Sequence, residues 1–217
     1  MESLKDITLQ QNNRFLYQRY GKRIADIVGS VLLIVFFIPL IFLFSIILLL
    51  FTGRPVFFKQ FRSGLNNVPF MIWKFRTMQI ESEESSSHQY EWQHEVPKDF
   101  SFAKPEHLNV TALGKIYRKF SIDEIPQLWN VLKGDMSFVG PRPEMIEITN
   151  HYSTEQKKRL LVKPGITGYA QVHGRSNITH GEKILRDLYY VQNCSFLLDL
   201  KIVIRTIVIV ITGKGAF

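Results

Sequence analysis

The sequence predicts an α+β fold, mainly helical: an apolar N-terminal helix that enters a membrane and returns on the same side, a β-hairpin, and a small helical domain with interfacial helices. Three observations predict it. Val31 to Phe51 is an uncharged apolar run of 21 residues. Two aromatic-rich, strand-like stretches, 55–62 and 68–77, flank the turn Ser63-Gly-Leu-Asn-Asn67. Beyond them, apolar residues recur at helical spacing in short stretches, most clearly from Ile122 to Leu132.

At 217 residues the chain can bury one sizeable core. We divide it into a polar N-terminal segment (1–18), a re-entrant membrane helix (19–53) and a membrane-associated domain (54–217). The net charge of +8 calls for an anionic partner, whether nucleic acid, lipid headgroup or phosphorylated substrate. Neither a zinc-finger spacing nor an aromatic RNA-binding pattern occurs, which counts against nucleic acid. Cys194 is the only cysteine, so no internal disulfide can form.

The apolar run is long enough for about 31 Å of helix, the thickness of a bilayer core. Arg14, Arg19, Lys22 and Arg23 precede it, and Arg54, Lys59 and Arg62 follow it. The positive-inside bias therefore assigns both flanks to the cytoplasm, which a straight spanning helix cannot satisfy. Pro39 lies within the run, lacks an N–H donor and opposes the Val35 carbonyl, so a sharp bend is expected there. A helix that dips into one leaflet and returns meets both constraints; the alternative is a simple span.

In the hairpin, Lys74 and Arg76 alternate with Trp73 and Phe75, which assigns cations and aromatics to opposite strand faces. Taken alone, two such cations are ordinarily just solvated. From the acidic, serine-rich stretch 81–88 to about Leu108, no apolar period is visible and an irregular surface segment is expected. His88, His94 and His107 lack metal-ligand spacing.

Residues 121–144 carry the densest chemistry. Ser121 with Glu124 three residues on is a capping-box pattern, and Gly134 stands where a helix-terminating glycine belongs. One short helix follows, with Ile122, Ile125, Leu128, Trp129 and Leu132 as its buried stripe. Asp123, Gln127 and Asn130 lie opposite, and Pro126 makes the first turn irregular. Asp123 and Glu124 then sit at the positive end of a helix, where carboxylates stay ionised and free N–H groups bind phosphate. Adjacent helical residues do not face each other, so the two acids have different jobs. Gly140-Pro-Arg-Pro143 is a stiff arm that holds the Arg142 guanidinium at little entropic cost, which suits phosphoryl chemistry. For the acid pair alone, an ordinary amphipathic helix is an equal explanation.

In the last third, 152–162 reads as a short polar helix. Lys163-Pro-Gly-Ile-Thr-Gly168 is turn-rich and would bring backbone N–H groups to a ligand, with Gln171 and Arg175 on a strand-like piece after it. Ser195 to Thr212 is apolar but interrupted by Asp199, Lys201 and Arg205. It reads as an interfacial helix with snorkelling cations or as a buried core helix.

The 121–144 string resembles the signature of the bacterial sugar transferases, the monotopic polyprenol-phosphate phosphoglycosyl transferases. Three further stretches resemble the same family in the same order: Gly53-Arg-Pro-Val-Phe-Phe-Lys-Gln60, Lys74-Phe-Arg-Thr-Met78 and Lys163-Pro-Gly-Ile-Thr-Gly-Tyr-Ala-Gln-Val-His-Gly-Arg175. The resemblance runs from about Tyr20 to the C-terminus. It implies transfer of a sugar-1-phosphate from a nucleoside-diphosphate sugar, UDP-linked by expectation, to polyprenyl (undecaprenyl) phosphate. Nucleoside monophosphate would leave, in the initiating step of surface polysaccharide or glycoconjugate synthesis. The implied place is the cytoplasmic face of the bacterial inner membrane, possible as a homodimer.

The resemblance implies Asp123 as nucleophile through an aspartyl-phosphosugar intermediate and Glu124 as base or orienting group. It also implies Mg2+ at the diphosphate, with Asp123 among its ligands. Lys74, Arg76, Arg118, Arg142 and Arg175 are the implied phosphate-binding cations. Two other classes compete: a membrane-anchored phosphatase using the same aspartate, and a non-catalytic module that binds anionic lipid.

Overall fold

A 31-residue helix, α1 (Lys22–Thr52), dominates the N-terminal part of the molecule and is entered through a π-helical turn at Tyr17–Gly21. The computed structural model describes residues 16–79, 92, 95–101, 110–174 and 178–212. From Tyr17 to Thr52 the helical segment is long and apolar enough to cross a membrane. Pro39, where a sharp bend is expected, lies inside α1, and the helix continues on both sides of it. A proline removes one hydrogen bond from the ladder, and the turns on either side keep theirs.

Both ends of α1 are fastened to the rest of the protein while its middle is largely exposed. Near the start, the Arg23 guanidinium donates to the Val131 and Leu132 carbonyls, each at 2.7 Å. Buried Asp26 accepts from Ser137 Oγ and the Phe138 N–H, both at 3.0 Å. Near the other end, Leu48 is fully buried with Phe75 and Tyr117, and the Tyr117 hydroxyl donates to the Phe44 carbonyl at 3.0 Å. Between these anchors Val35, Phe36, Ile38 and Phe42 are exposed.

The expected hairpin is present. Strands β1 (Phe57–Ser63) and β2 (Pro69–Phe75) pair antiparallel with Phe57 opposite Phe75 and Ser63 opposite Pro69. Asn66 and Asn67 adopt left-handed conformations in the turn, which asparagine tolerates better than most residues. Helix α2 (Ala112–Lys119) follows, capped by the Thr111 hydroxyl, which accepts from the Gly114 N–H at 2.9 Å.

Residues 121–133 form two pieces where one helix was expected: a 3-10 turn at Ile122–Gln127, then α3 (Leu128–Lys133). Gly134, at φ 97°, ends α3 in the left-handed conformation that glycine reaches without a Cβ penalty. Strand β3 (Ser137–Val139) then pairs parallel with β4 (Gly165–Thr167). Between them lie α4 (Ile146–Thr149), α5 (Thr154–Lys157) and a 3-10 turn at Lys158–Leu161, close to the polar helix expected over 152–162. Helix α6 (Tyr169–His173) stands where a strand-like piece was expected.

Two longer helices close the fold: α7 (His180–Asn193), with a Thr179–Glu182 capping box, and α8 (Phe196–Thr212). Of α8 only Asp199 and Ile202 are buried, while Leu197, Leu200, Ile204, Ile207 and Ile211 are exposed. That pattern fits the interfacial alternative and not the core helix.

The largest core cluster joins Val96, Met145, Ile148, Tyr152, Leu160 and Ile184. Val96 is fully buried, so the stretch expected to be irregular surface contributes to the core; residues 81–91, 93, 94 and 102–108 of that stretch, with His88, His94 and His107, lie outside the described set. His180 is buried against the Phe100 and Tyr152 rings, and among the described residues neither ring nitrogen has a hydrogen-bond partner. Burial, then the neighbouring Lys183 charge, pushes its pKa down to about 4. The unfolded chain therefore binds the proton first as pH falls, so stability is full above about pH 6.5 and declines toward pH 4. We expect His180→Phe to flatten the dependence of Tm on pH across that window; an unchanged slope would assign it to other groups.

Candidate active site

The acid pair occupies a corner between α2 and α3. Ser121 turns this corner at φ 54°, and its side chain makes no cap bond. The Glu124 N–H instead bonds the Ser121 carbonyl at 3.1 Å. The expected capping box is therefore absent, because Ser121 in a left-handed conformation does not have the extended backbone of a capping residue. Pro126 keeps the turn tight until α3 begins.

The polar stripe of this element is buried together with Leu128 of the apolar stripe. Asp123, Gln127 and Asn130 are buried, whereas Trp129, expected in the apolar stripe, is 54% exposed. Asn130 supplies the reason. Its Nδ2 donates to the Met71 carbonyl at 2.7 Å and its Oδ1 accepts from the Trp73 N–H at 3.2 Å. Those groups lie on the open edge of β2, so a side-chain amide completes the ladder that a third strand would otherwise supply.

This packing draws three cations onto the acids. Arg142 Nη2 donates to Glu124 Oε1 at 2.8 Å, and Lys74 Nζ reaches the same oxygen at 3.4 Å. Arg118 Nε donates to Thr77 Oγ1 at 2.9 Å, and its charge acts on Asp123. Burial raises the cost of ionising Glu124, but Arg142 and Lys74 outweigh it and hold the carboxyl down at about 2. Asp123 moves the other way. Burial, and next the Glu124 charge, push it up to about 6 against the pull of Lys74, Arg142 and Arg118. Two neighbouring carboxylates thus acquire opposite characters, one locked as an anion and the other a more basic one. The Arg142 side chain remains 41% exposed, so its fork is open to a ligand as well as to Glu124.

Arg76 is placed elsewhere. Its guanidinium donates to the Gly53 and Arg54 carbonyls at 2.9 Å and to the Thr52 carbonyl, capping the C-terminus of α1. A buried cation at the negative end of a long helix is a favourable use of the charge, and it separates Arg76 from the Lys74–Arg118–Arg142 group. Arg175 lies outside the described residues. The 163–168 stretch was expected to offer N–H groups to a ligand, but the Gly165 N–H bonds the Pro141 carbonyl at 2.9 Å.

A second charged cluster lies behind the arm, and sequence reasoning missed it. Arg159 pairs with Asp187 at 2.7 Å, and Glu144 pairs with Lys183. Arg159 and Asp187 are each 1% exposed. The four residues come from three separate segments, and the four-residue spacing of Lys183 and Asp187 resembles an ordinary surface pair. Glu144 is held at about 2, against burial, chiefly by Lys183 and Arg159. Its contribution is present above the ordinary pKa of 4.5 and is lost as pH falls through about 2. Glu144→Gln removes the carboxylate charge that Lys183 and Arg159 share; chemical denaturation at pH 7 is expected to show a loss of roughly 3–5 kcal/mol.

Residues 17–213 match the family model described as bacterial sugar transferase. The chain is 42% identical over 195 residues to the uncharacterized sugar transferase EpsL of Bacillus subtilis (strain 168), covering 89% of each. It is 40% identical to the UDP-N-acetylgalactosamine-undecaprenyl-phosphate N-acetylgalactosaminephosphotransferase of Aeromonas hydrophila, covering 90% of this chain and 44% of that one. It is 38% identical to the UDP-glucose:undecaprenyl-phosphate glucose-1-phosphate transferase of Caulobacter vibrioides, covering 90% of this chain and 72% of that one.

Proposed function

The chain belongs to the bacterial sugar transferase family, and from that premise we propose that it transfers a sugar-1-phosphate from a UDP-sugar to undecaprenyl phosphate. UMP leaves, and the lipid-linked sugar diphosphate begins a surface glycan. The observation that carries this reading is the Asp123–Glu124 pair, buried at Asp123 and largely so at Glu124, set among Lys74, Arg118 and Arg142. Anionic diphosphate chemistry needs such cations, and their charge favours negative oxygens over a neutral substrate.

In the mechanism, an Asp123 carboxylate oxygen attacks the sugar-bearing phosphorus. The bond from that phosphorus to the bridging diphosphate oxygen breaks, and UMP departs with the electron pair. A phosphate oxygen of the lipid then attacks the same phosphorus, and the Asp123 carboxylate leaves. Glu124, held ionised by two cations, is a poor proton acceptor; it serves to converge Arg142 and Lys74 on the phosphates.

Asp123 and the substrate diphosphate together fit Mg2+, which takes one or two carboxylates plus phosphate oxygens. When bound, the ion would neutralise charge on the diphosphate.

The relatives' names specify different sugars, so a panel of UDP-sugars with undecaprenyl phosphate, read by UMP release, is the direct test. UMP and sugar phosphate released equally with and without lipid would favour the phosphatase reading instead.

We place the protein on the cytoplasmic face of the inner membrane with α1 re-entrant. Support comes from α1 itself: Arg23 and Asp26 at one end and Leu48 and Thr52 at the other all contact one small body. The helix contour between Arg23 and Thr52 is roughly 44 Å at the α-helical rise, more than a bilayer core. A straight span would carry one set of these contacts across the membrane. In intact cells, Arg19→Cys and Lys59→Cys are both expected to resist an impermeant thiol reagent. Labelling of either would overturn this topology.

A further inference from the structure

The Gly140-Pro-Arg-Pro143 arm contains two prolines and has few N–H groups to offer, so its carbonyls are what remains to hold it. Backbone donors take two nearby: Gly165 bonds the Pro141 carbonyl and Ser63 bonds the Glu144 carbonyl, each at 2.9 Å. The Arg142 carbonyl is held by a side chain. Arg159 Nη2 donates to it at 3.0 Å. The same guanidinium is oriented by Asp187 Oδ2, 2.9 Å from Nε, and by the Tyr152 hydroxyl, 2.8 Å from Nη1.

Charge balance does not require that contact. Arg159 and Lys183 are already offset by Glu144 and Asp187, yet Nη2, which lies 2.7 Å from Asp187, also donates to a neutral carbonyl of the residue whose own side chain grips Glu124. We propose that Arg159 is a positioning residue for the phosphate clamp: it fixes the backbone of Arg142, and with it the reach of the Arg142 guanidinium over the acid pair. The planar fork is necessary because three partners lie in three directions, which a lysine ammonium on a flexible stem does not hold together. This inference rests on the reading of Arg142 as a substrate-phosphate ligand.

The test is a double-mutant cycle on the full chain in detergent or lipid discs, comparing Arg159→Lys, Arg142→Ala and both together. Two quantities are read: kcat/KM for UMP release, and Kd for UDP by calorimetry. Arg159→Lys alone is expected to lower kcat/KM roughly ten- to a hundredfold, the scale of a small misplacement of a binding group. In the Arg142→Ala background the same change should cost less than about threefold, because no guanidinium remains to be placed. Tyr152→Phe removes one anchor of Arg159 and leaves the ion pairs, so it runs the same cycle if the lysine variant does not fold. Losses that multiply in the cycle, in both kcat/KM and Kd, would make Arg159 a core ion pair and overturn the proposal. A wild-type protein that neither binds UDP nor releases UMP from any UDP-sugar would overturn the functional reading itself, and this inference with it.

Discussion

Asp123→Asn is expected to stop UMP release altogether, a loss of at least about a thousandfold, because the amide lacks the anion that attacks phosphorus. Wild-type protein incubated with labelled UDP-sugar and no lipid should retain acid-quenched label on one peptide containing Asp123, with UMP already released. Glu124→Gln keeps the attacking carboxylate and should still be labelled while turnover falls. Label absent from active wild-type protein, with UMP appearing only when lipid is added, would demote Asp123 from nucleophile to ligand or base. The fold should tolerate the substitution. Asp123 is held above its ordinary pKa by burial and by the Glu124 charge, so a neutral isostere relieves a penalty, and the Tm at pH 7 is expected to stay level or rise.

Gly165→Ala is expected to damage both the fold and the activity. A Cβ there would lie 2.1 Å from the Gly140 nitrogen and 2.3 Å from the Thr167 oxygen. Both are backbone atoms, at the end of β3 and in β4, so no side chain can move aside. The β3–β4 pairing must open, and with it goes the bond from Gly165 to the Pro141 carbonyl. We expect a loss of about 3 kcal/mol or more, equal to a fall of roughly 6–12 °C in Tm for a chain of this size. Activity should fall further than stability accounts for, since the arm carrying Arg142 is released. Gly134→Ala, which strains one left-handed residue, is expected to cost only about 1 kcal/mol. Equal effects for the two would refute the close-approach argument.

Several of these features were legible in the sequence because they depend on local pattern. The length of α1, the hairpin and its Asn-rich turn, and the end of α3 at Gly134 follow from apolar runs, strand pairing and glycine chemistry. What was not legible depends on partners far apart in the chain. The buried polar side of the 122–133 element reverses the usual rule because Asn130 satisfies the edge of β2, a partner more than fifty residues away. Arg76 reads as a companion of Lys74 in the strand pattern, yet the carbonyls it caps belong to α1. Glu144, Arg159, Lys183 and Asp187 become a cluster only when α7 packs behind the arm.

The attachment of α1 at both ends makes the membrane segment part of the folding unit and not a tether that can be cut away. A fragment beginning after Gly53 would lose the Arg23 cap on α3, the Asp26 acceptor for β3 and the Leu48 side chain that clusters with Phe75 and Tyr117. Its Arg76 would be left buried without the helix end it neutralises. Trimming this protein to a soluble form should therefore produce aggregation and not a free domain. Its folding is therefore expected to be coupled to the association of α1 with the membrane.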